Sequence, residues 1–291
     1  ANCSDDDTYD DGAKSREELL EERFPGVADV TWSTENGLNK AEFLYDDEET
    51  VTWFNDEGVW AMTQRKVGYD GLPAAVRNSF ESGEYKDYPQ NALYQFHFEG
   101  GENTYAISLV KDSRPTNLYY RENGELYRVG ESIFRTYVPI ILSETQQKAM
   151  DEKYPNAILL EARLADKDIP EIEDEIMSDL KSNGKIRINI VDGGIYKEVV
   201  FNKDMWEVTR WRFPFSFDTA SNELKETFEN LMADIADMEN TTISETAIHE
   251  EWPDTNPWEL YYVVDENGEV RGVISIAPEG TTSPSLYIFN H

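Results

Sequence analysis

Four stretches of the chain carry one turn signature: Phe54-Asn55-Asp56-Glu57-Gly58-Val59-Trp60, Tyr120-Arg121-Glu122-Asn123-Gly124-Glu125-Leu126, Phe201-Asn202-Lys203-Asp204-Met205-Trp206 and Val264-Asp265-Glu266-Asn267-Gly268-Glu269-Val270. Each places a polar run of Asn, Asp and Gly between two apolar residues, the pattern of a strand, a tight turn and a returning strand. Gly or Asn supplies the positive φ that such turns require. The third copy is one residue shorter and lacks the Gly, so its turn type must differ. Recurrence of the same turn chemistry makes internal repetition the organising feature of the chain.

The segments ahead of the hairpins recur too. Glu22-Arg23-Phe24-Pro25-Gly26 matches Glu152-Lys153-Tyr154-Pro155-Asn156, and Val76-Arg77-Asn78-Ser79-Phe80 matches Leu224-Lys225-Glu226-Thr227-Phe228. Pro25 and Pro155 end helices, because proline cannot continue one and restricts its predecessor. The order is A-B-A-B. From Phe24 to Phe54 is 30 residues and from Tyr154 to Phe201 is 47; the extra 17 fall around Ile169–Ser182. There Ile172, Ile176 and Leu180 recur every fourth residue, which predicts an added amphipathic helix with Gly184 as its cap. Further helices are expected at Ser15–Arg23, Leu72–Ser82, Glu144–Lys153 and Asn222–Met238, with alternating strands such as Lys40–Tyr45 and Tyr105–Val110. The fold class is α+β: tandem repeats of a helix plus an antiparallel sheet of three to four strands, with the helices on one sheet face. Residues 1–14 form a flexible acidic tether, 15–138 a first repeat pair, and 139–291 a second pair with the helical insertion near 169–182.

Helix, Phe/Tyr-Pro-Gly/Asn, meander and Phe-Asn-Asp-Glu-Gly hairpin together resemble the PepSY-like proteins of Bacteroidetes, and Leu72-Pro73-Ala74-Ala75-Val76 is similar to that family's second-helix start. The resemblance covers Glu17–Val129 well and Glu144–Ile276 weakly. It implies the fold of the beta-lactamase inhibitory protein, an envelope location and a binding role, and it names no ligand. The opening Ala1-Asn2-Cys3-Ser4-Asp5-Asp6-Asp7 resembles a mature bacterial lipoprotein with an acidic export tether, although Asn2 stands where such families carry Gly, Ala or Ser. That resemblance implies lipidation at Cys3 and a periplasmic or outer-membrane surface address. One lipid group on a polar leash anchors a domain without inserting it.

Composition narrows the function. The chain holds 59 acidic and 26 basic residues, a net charge of −33. Nucleic acid is excluded, since phosphate affinity rests on clustered Lys and Arg. Anionic lipid would repel the chain, so membrane contact is expected only through the lipid anchor. Such charge keeps a protein monomeric, or draws a partner with a basic rim. With Cys3 the single cysteine, no internal disulfide and no Cys-based zinc site can form.

The search for chemistry leaves little. Asp7-Thr8-Tyr9-Asp10-Asp11-Gly12 with Glu18 follows calcium-loop spacing, but Tyr9 sits at a ligand position and Lys14 at the apolar one. His97 and His249 stand singly in strand-like stretches and His291 is terminal, so no metal-ligand pair exists. No metal and no cofactor is expected. Glu250-Glu251-Trp252 and Glu171–Asp179 are the densest acids, and in a chain this acidic they read first as solvated charge. Aligning the hairpins separates two strand faces. Phe54, Tyr120, Phe201 and Val264, with Trp60, Leu126, Trp206 and Val270, read as core. The other face carries Trp53, Tyr119 and Tyr127 among charges. If exposed, these three rings would form a partner-binding surface; if covered, they are packing. The expected function is non-catalytic binding of a protein or peptide, inhibitor-like towards a hydrolase; the alternative is a carbohydrate-active enzyme or carbohydrate-binding surface protein using a carboxylate pair near exposed Trp.

Overall fold

Residues 12–130, 138–164, 185–233, 238–277 and 284–288 are described by a computed structural model. The chain divides into two compact units, Ala1–Ile141 and Leu142–His291. In the first, helix α1 (Arg16–Arg23) precedes β1 (Thr31–Glu35), β2 (Leu38–Tyr45), β3 (Glu48–Phe54) and β4 (Trp60–Lys66). Helix α2 (Ala74–Ser82) then precedes β5 (Gln90–Phe98), β6 (Asn103–Lys111), β7 (Arg114–Arg121) and β8 (Leu126–Gly130). The second unit repeats the order with α3 (Glu144–Lys153), β9 (Ile158–Leu164), β10 (Lys185–Asp192), β11 (Ile195–Asn202) and β12 (Met205–Pro214). It continues with α4 (Asn222–Ala233), β13 (Thr242–Glu251), β14 (Trp258–Val264), β15 (Val270–Ile276) and β16 (Ser285–Ile288).

Each unit's eight strands form one antiparallel sheet in chain order, so two four-stranded repeats merge edge to edge into a single meander. The fold is α+β, as the repeat pattern predicts. The predicted helical insertion at 169–182 and residues 1–11 of the tether, Cys3 and Asp7–Asp11 of the calcium-like loop among them, lie outside the described residues.

Local chemistry sets the helices. Ser15 Oγ accepts the Glu18 backbone N–H at 3.2 Å while Glu18 Oε2 accepts the Ser15 N–H at 2.7 Å, a reciprocal cap. Ser143 and Gln146 repeat the arrangement at α3. Phe24 and Tyr154, each ahead of its proline, end α1 and α3 and turn inward. Phe24 joins Leu20, Ala41, Phe43 and Phe54, and Tyr154 joins Met150, Ile188, Ile190, Val199 and Phe201. The B repeats use Val76 and Phe80, or Phe228, against Ile107, Leu118 and Tyr120, or Ala247, Tyr261 and Ile274. The strand registers put both helices of a unit on the same sheet face. Each buried Phe or Leu contributes about 1.5–3 kcal/mol.

The four hairpins share one construction. Phe54 pairs with Trp60, Tyr120 with Leu126, Phe201 with Trp206 and Val264 with Val270, and in all four the register shifts at that pair. In the three longer copies a Gly at φ near +80° closes the turn: Gly58, Gly124 and Gly268. The shorter copy turns between Asn202 and Met205 with Lys203 at φ +54°. Hairpin tips meet the helices. A Cβ on Gly124 would lie 2.5 Å from the Ala75 carbonyl oxygen of α2. Gln146 of α3 donates to the Lys203 carbonyl at 2.8 Å. Two core expectations are corrected. Leu126, on the edge strand β8, is exposed. Val264 and Val270 are only partly buried and pack against Ile248, Tyr262 and Val273 on the face away from α4, where Val263 instead joins Phe228 in the core. Trp60 and Trp206 are half-buried and are covered by the last residues of the A helices, with the Arg23 guanidinium 4.5 Å above Trp60 and Lys153 Nζ 3.9 Å above Trp206.

Candidate functional site

The face of each sheet away from the helices is the surface that the alternation singles out, and the two units fill it differently. In the first unit Trp53 of β3 lies between Lys40 of β2 and Met62 of β4, and Met62 pairs onward with Phe98. Across the same face Gln64 pairs with Phe96, Ala106 with Tyr119, and Tyr119 with Arg128. Of the two readings open for Trp53, Tyr119 and Tyr127, binding surface if exposed and packing if covered, burial favours the second: their relative exposures are 0%, 6% and 9%. Strand alternation placed them on the right face but says nothing of what covers it. The Trp53 indole N–H donates to Glu35 Oε2 at 2.8 Å, and Lys40 Nζ lies 5.7 Å from the ring centre. The Arg128 guanidinium sits 3.7 Å over Tyr119, whose ring centre is 6.4 Å from that of Tyr127. These rings are packing elements: Trp53 and Tyr119 meet neighbouring charges, and Tyr127 packs beside the Tyr119 ring.

The second unit carries a row of polar side chains on the same face. Glu161 of β9, Asn189 of β10, Glu198 of β11, Arg210 of β12 and Glu250 of β13 are successive cross-strand partners. Arg163 and Arg187, paired with each other, flank the row. Glu198 forms its closest ion pair with Arg210, and its other oxygen lies 3.9 Å from Arg187. Arg163 Nε donates to Glu161 Oε2 at 3.3 Å. Burial pushes the Glu198 carboxyl up, but the combined pull of Arg210, Arg187 and Arg163 outweighs it and holds the group well below the usual carboxylate range. Burial pushes Glu250 above its ordinary value, against the Trp252 N–H that donates to it at 3.0 Å and the charge of Arg210.

Composition hid this row. The repeat alignment makes Val51 and Gln64 the counterparts of Glu198 and Arg210, so one face became apolar and aromatic while its copy became ionic. The readable signal is charged or polar residues at alternating positions in consecutive strands, as in Glu161/Arg163 and Arg187/Asn189. Of the acids noted from sequence, Glu250 joins the row; Glu251 instead lies 3.7 Å from Lys153 on the helix side. Glu171–Asp179 lies outside the described residues. His97 bonds to Asn103 at 3.0 Å, and His249 stacks on Trp211 with ring centres 4.3 Å apart. Among the described residues no group of three or more His, Cys, Asp or Glu is arranged to hold a metal ion, and no helix is long and apolar enough to cross a membrane.

Comparison with solved structures finds similar chains. A DUF2874 family protein from Bacteroides ovatus is 25% identical, with a TM-score of 0.38 over 41% of this chain and 89% of its own. A DUF2874 family protein from Bacteroides uniformis is 23% identical, with a TM-score of 0.38 over 40% and 86%. A BLIP-like protein from Bacteroides fragilis is 19% identical, with a TM-score of 0.40 over 43% and 91%. No known family model and no curated protein matches the chain.

Proposed function

We propose that this chain is a non-catalytic binding protein of the bacterial envelope, of the PepSY-like kind, lipid-anchored through Cys3 and directed at a protein or peptide. The observation that carries the reading is the pairing of Glu198 with Arg210 and Arg187 within the sheet. Held ionised among Arg210, Arg187 and Arg163, Glu198 has its charge compensated in place, the condition of a structural ion pair rather than of a proton donor poised near neutral pH.

Glu250 favours the rival reading, an enzyme acting on carbohydrate, because its carboxyl is pushed up beside Trp252. The two readings part in one experiment. The full chain is assayed on a panel of glycans and peptides, with Glu250→Gln alongside, and a partner captured from native envelope is purified and titrated against it. Stoichiometric, saturable binding with no turnover is expected. Turnover abolished by Glu250→Gln would replace the binding reading with the enzymatic one.

A further inference from the structure

We propose that the groove between α1 and the outer edge of β1 is a docking site for an extended basic segment of another protein, laid along β1 as an additional strand. The proposal rests on the binding reading above and gives it a surface and a partner chemistry.

Three observations converge there. The first is the edge itself: β1 begins the eight-strand order and pairs only with β2 among the described residues, so its outer side can accept a strand. The second is the floor. A depression of about 590 Å³ opens beside β1, lined by Leu20, Val27, Val30 and Trp32. Trp32 pairs with the core residue Ala41 and packs edge-on against Phe54 with ring centres 6.1 Å apart, so it is a fixed platform. The third is the rim. Glu17, Glu18, Glu21, Glu22 and Asp29 supply five carboxylates, while Lys14 is the one basic residue in the lining. Arg16 lies over Trp32 at 4.5 Å and pairs with Glu17 at 2.9 Å. Even with both cations counted, the rim is strongly negative.

Charge decides the occupant. Asp5, Asp6, Asp7, Asp10 and Asp11 make the chain's own leading segment as acidic as the rim, and a second copy would bring the same carboxylates edge to edge. Like charges so placed repel. A strand of alternating basic and aliphatic residues fits instead. Side chains two apart share a face, so one set reaches the acids of α1 and the Trp32 platform, while the backbone completes the edge hydrogen bonds.

The test uses the full chain and a labelled decapeptide of alternating lysine and valine, followed by fluorescence anisotropy at physiological salt. Saturable one-to-one binding is expected. Glu17→Lys with Glu21→Lys should weaken it tenfold or more, and the milder Glu17→Gln with Glu21→Gln should weaken it in the same direction without disturbing the fold. Glu144→Lys with Asp151→Lys on α3, an equal charge change elsewhere, should leave it within twofold. Equal weakening by both reversals would overturn the site, since diffuse net charge would then explain the binding. Dimerisation in sedimentation without peptide, lost in the charge variants, would assign the edge to a second copy and also overturn it. No saturable binding would refute this docking surface while the envelope partner's own titration still stands, so the two failures are distinguishable.

Discussion

Gly124 and Gly268 hold the same place in two copies of one hairpin, with φ of +86° and +79°, yet their surroundings differ. A Cβ on Gly124 meets the Ala75 carbonyl at 2.5 Å, whereas one on Gly268 meets nothing within 4 Å. Gly268→Ala should therefore cost only the left-handed strain, about 1–2 kcal/mol. Gly124→Ala adds a clash with helix backbone and should cost clearly more, with chemical denaturation of the two variants as the check. The two buried glutamates predict opposite pH behaviour. The folded pKa of Glu198 is depressed, so its stabilisation is present above the unfolded value of about 4.3 and is lost as pH falls towards the folded one. Glu198→Gln should cost on the order of 3 kcal/mol at pH 7, a penalty that shrinks at lower pH. The folded pKa of Glu250 is raised, so the folded state favours its neutral form and loses stability as pH rises through that value. Glu250→Gln should thus raise the midpoint at neutral pH and bring no gain below about pH 4. Melting curves of both variants between acid and neutral pH check the signs; parallel curves would refute them.

Lys203 sits at φ +54° in the one of the four repeated hairpins that lacks glycine, and its carbonyl, not its side chain, bonds to Gln146. Lys203→Gly keeps that bond and removes side-chain strain, at some entropy cost in the unfolded chain. A net gain of up to about 1 kcal/mol is expected in an equilibrium unfolding titration; a loss would mean that the lysine side chain itself holds the turn. The hairpins and helices were legible because their chemistry is local: Ser15 and Ser143 cap, Pro25 and Pro155 stop, and Gly58, Gly124 and Gly268 turn. Other turns were less so. Asn36-Gly37 and Gly193-Gly194 are ordinary two-residue hairpin signals, but Asp46-Asp47 and Asp112-Ser113 adopt the same positive φ without glycine and cannot be told from solvated loop residues. The rings of Trp53, Tyr119 and Tyr127 were assigned to the correct face, because alternation is a property of one strand. Their burial depends on Glu35, Lys40, Arg128 and cross-strand partners on neighbouring strands, which the pattern of a single strand does not encode. The ionic row of the second unit was missed for the same reason: a charge is inward only if its neighbours are.

At the scale of the molecule two electrostatic regimes coexist. The ladder around Glu198 is largely withdrawn from solvent, where added ions screen little, while the chain carries 59 acidic residues against 26 basic ones. Surface self-repulsion opposes the compact state. Raising ionic strength from 0.01 M to 0.15 M shortens the screening length from about 30 Å to about 8 Å, which weakens repulsion between separated carboxylates far more than the buried ion pairs. The melting temperature of the full chain should therefore rise by several degrees over that range at neutral pH, and equally in sodium and potassium chloride. The stability difference between the native chain and Glu198→Gln should stay constant across the same series, because that difference arises inside the sheet. If the difference collapsed with salt, the ladder would behave as a surface feature. If the native melting temperature fell, attractive pairs such as Arg121 with Glu102 and Glu125 would outweigh the excess negative charge, and the acidic surface would be holding the fold together instead of straining it.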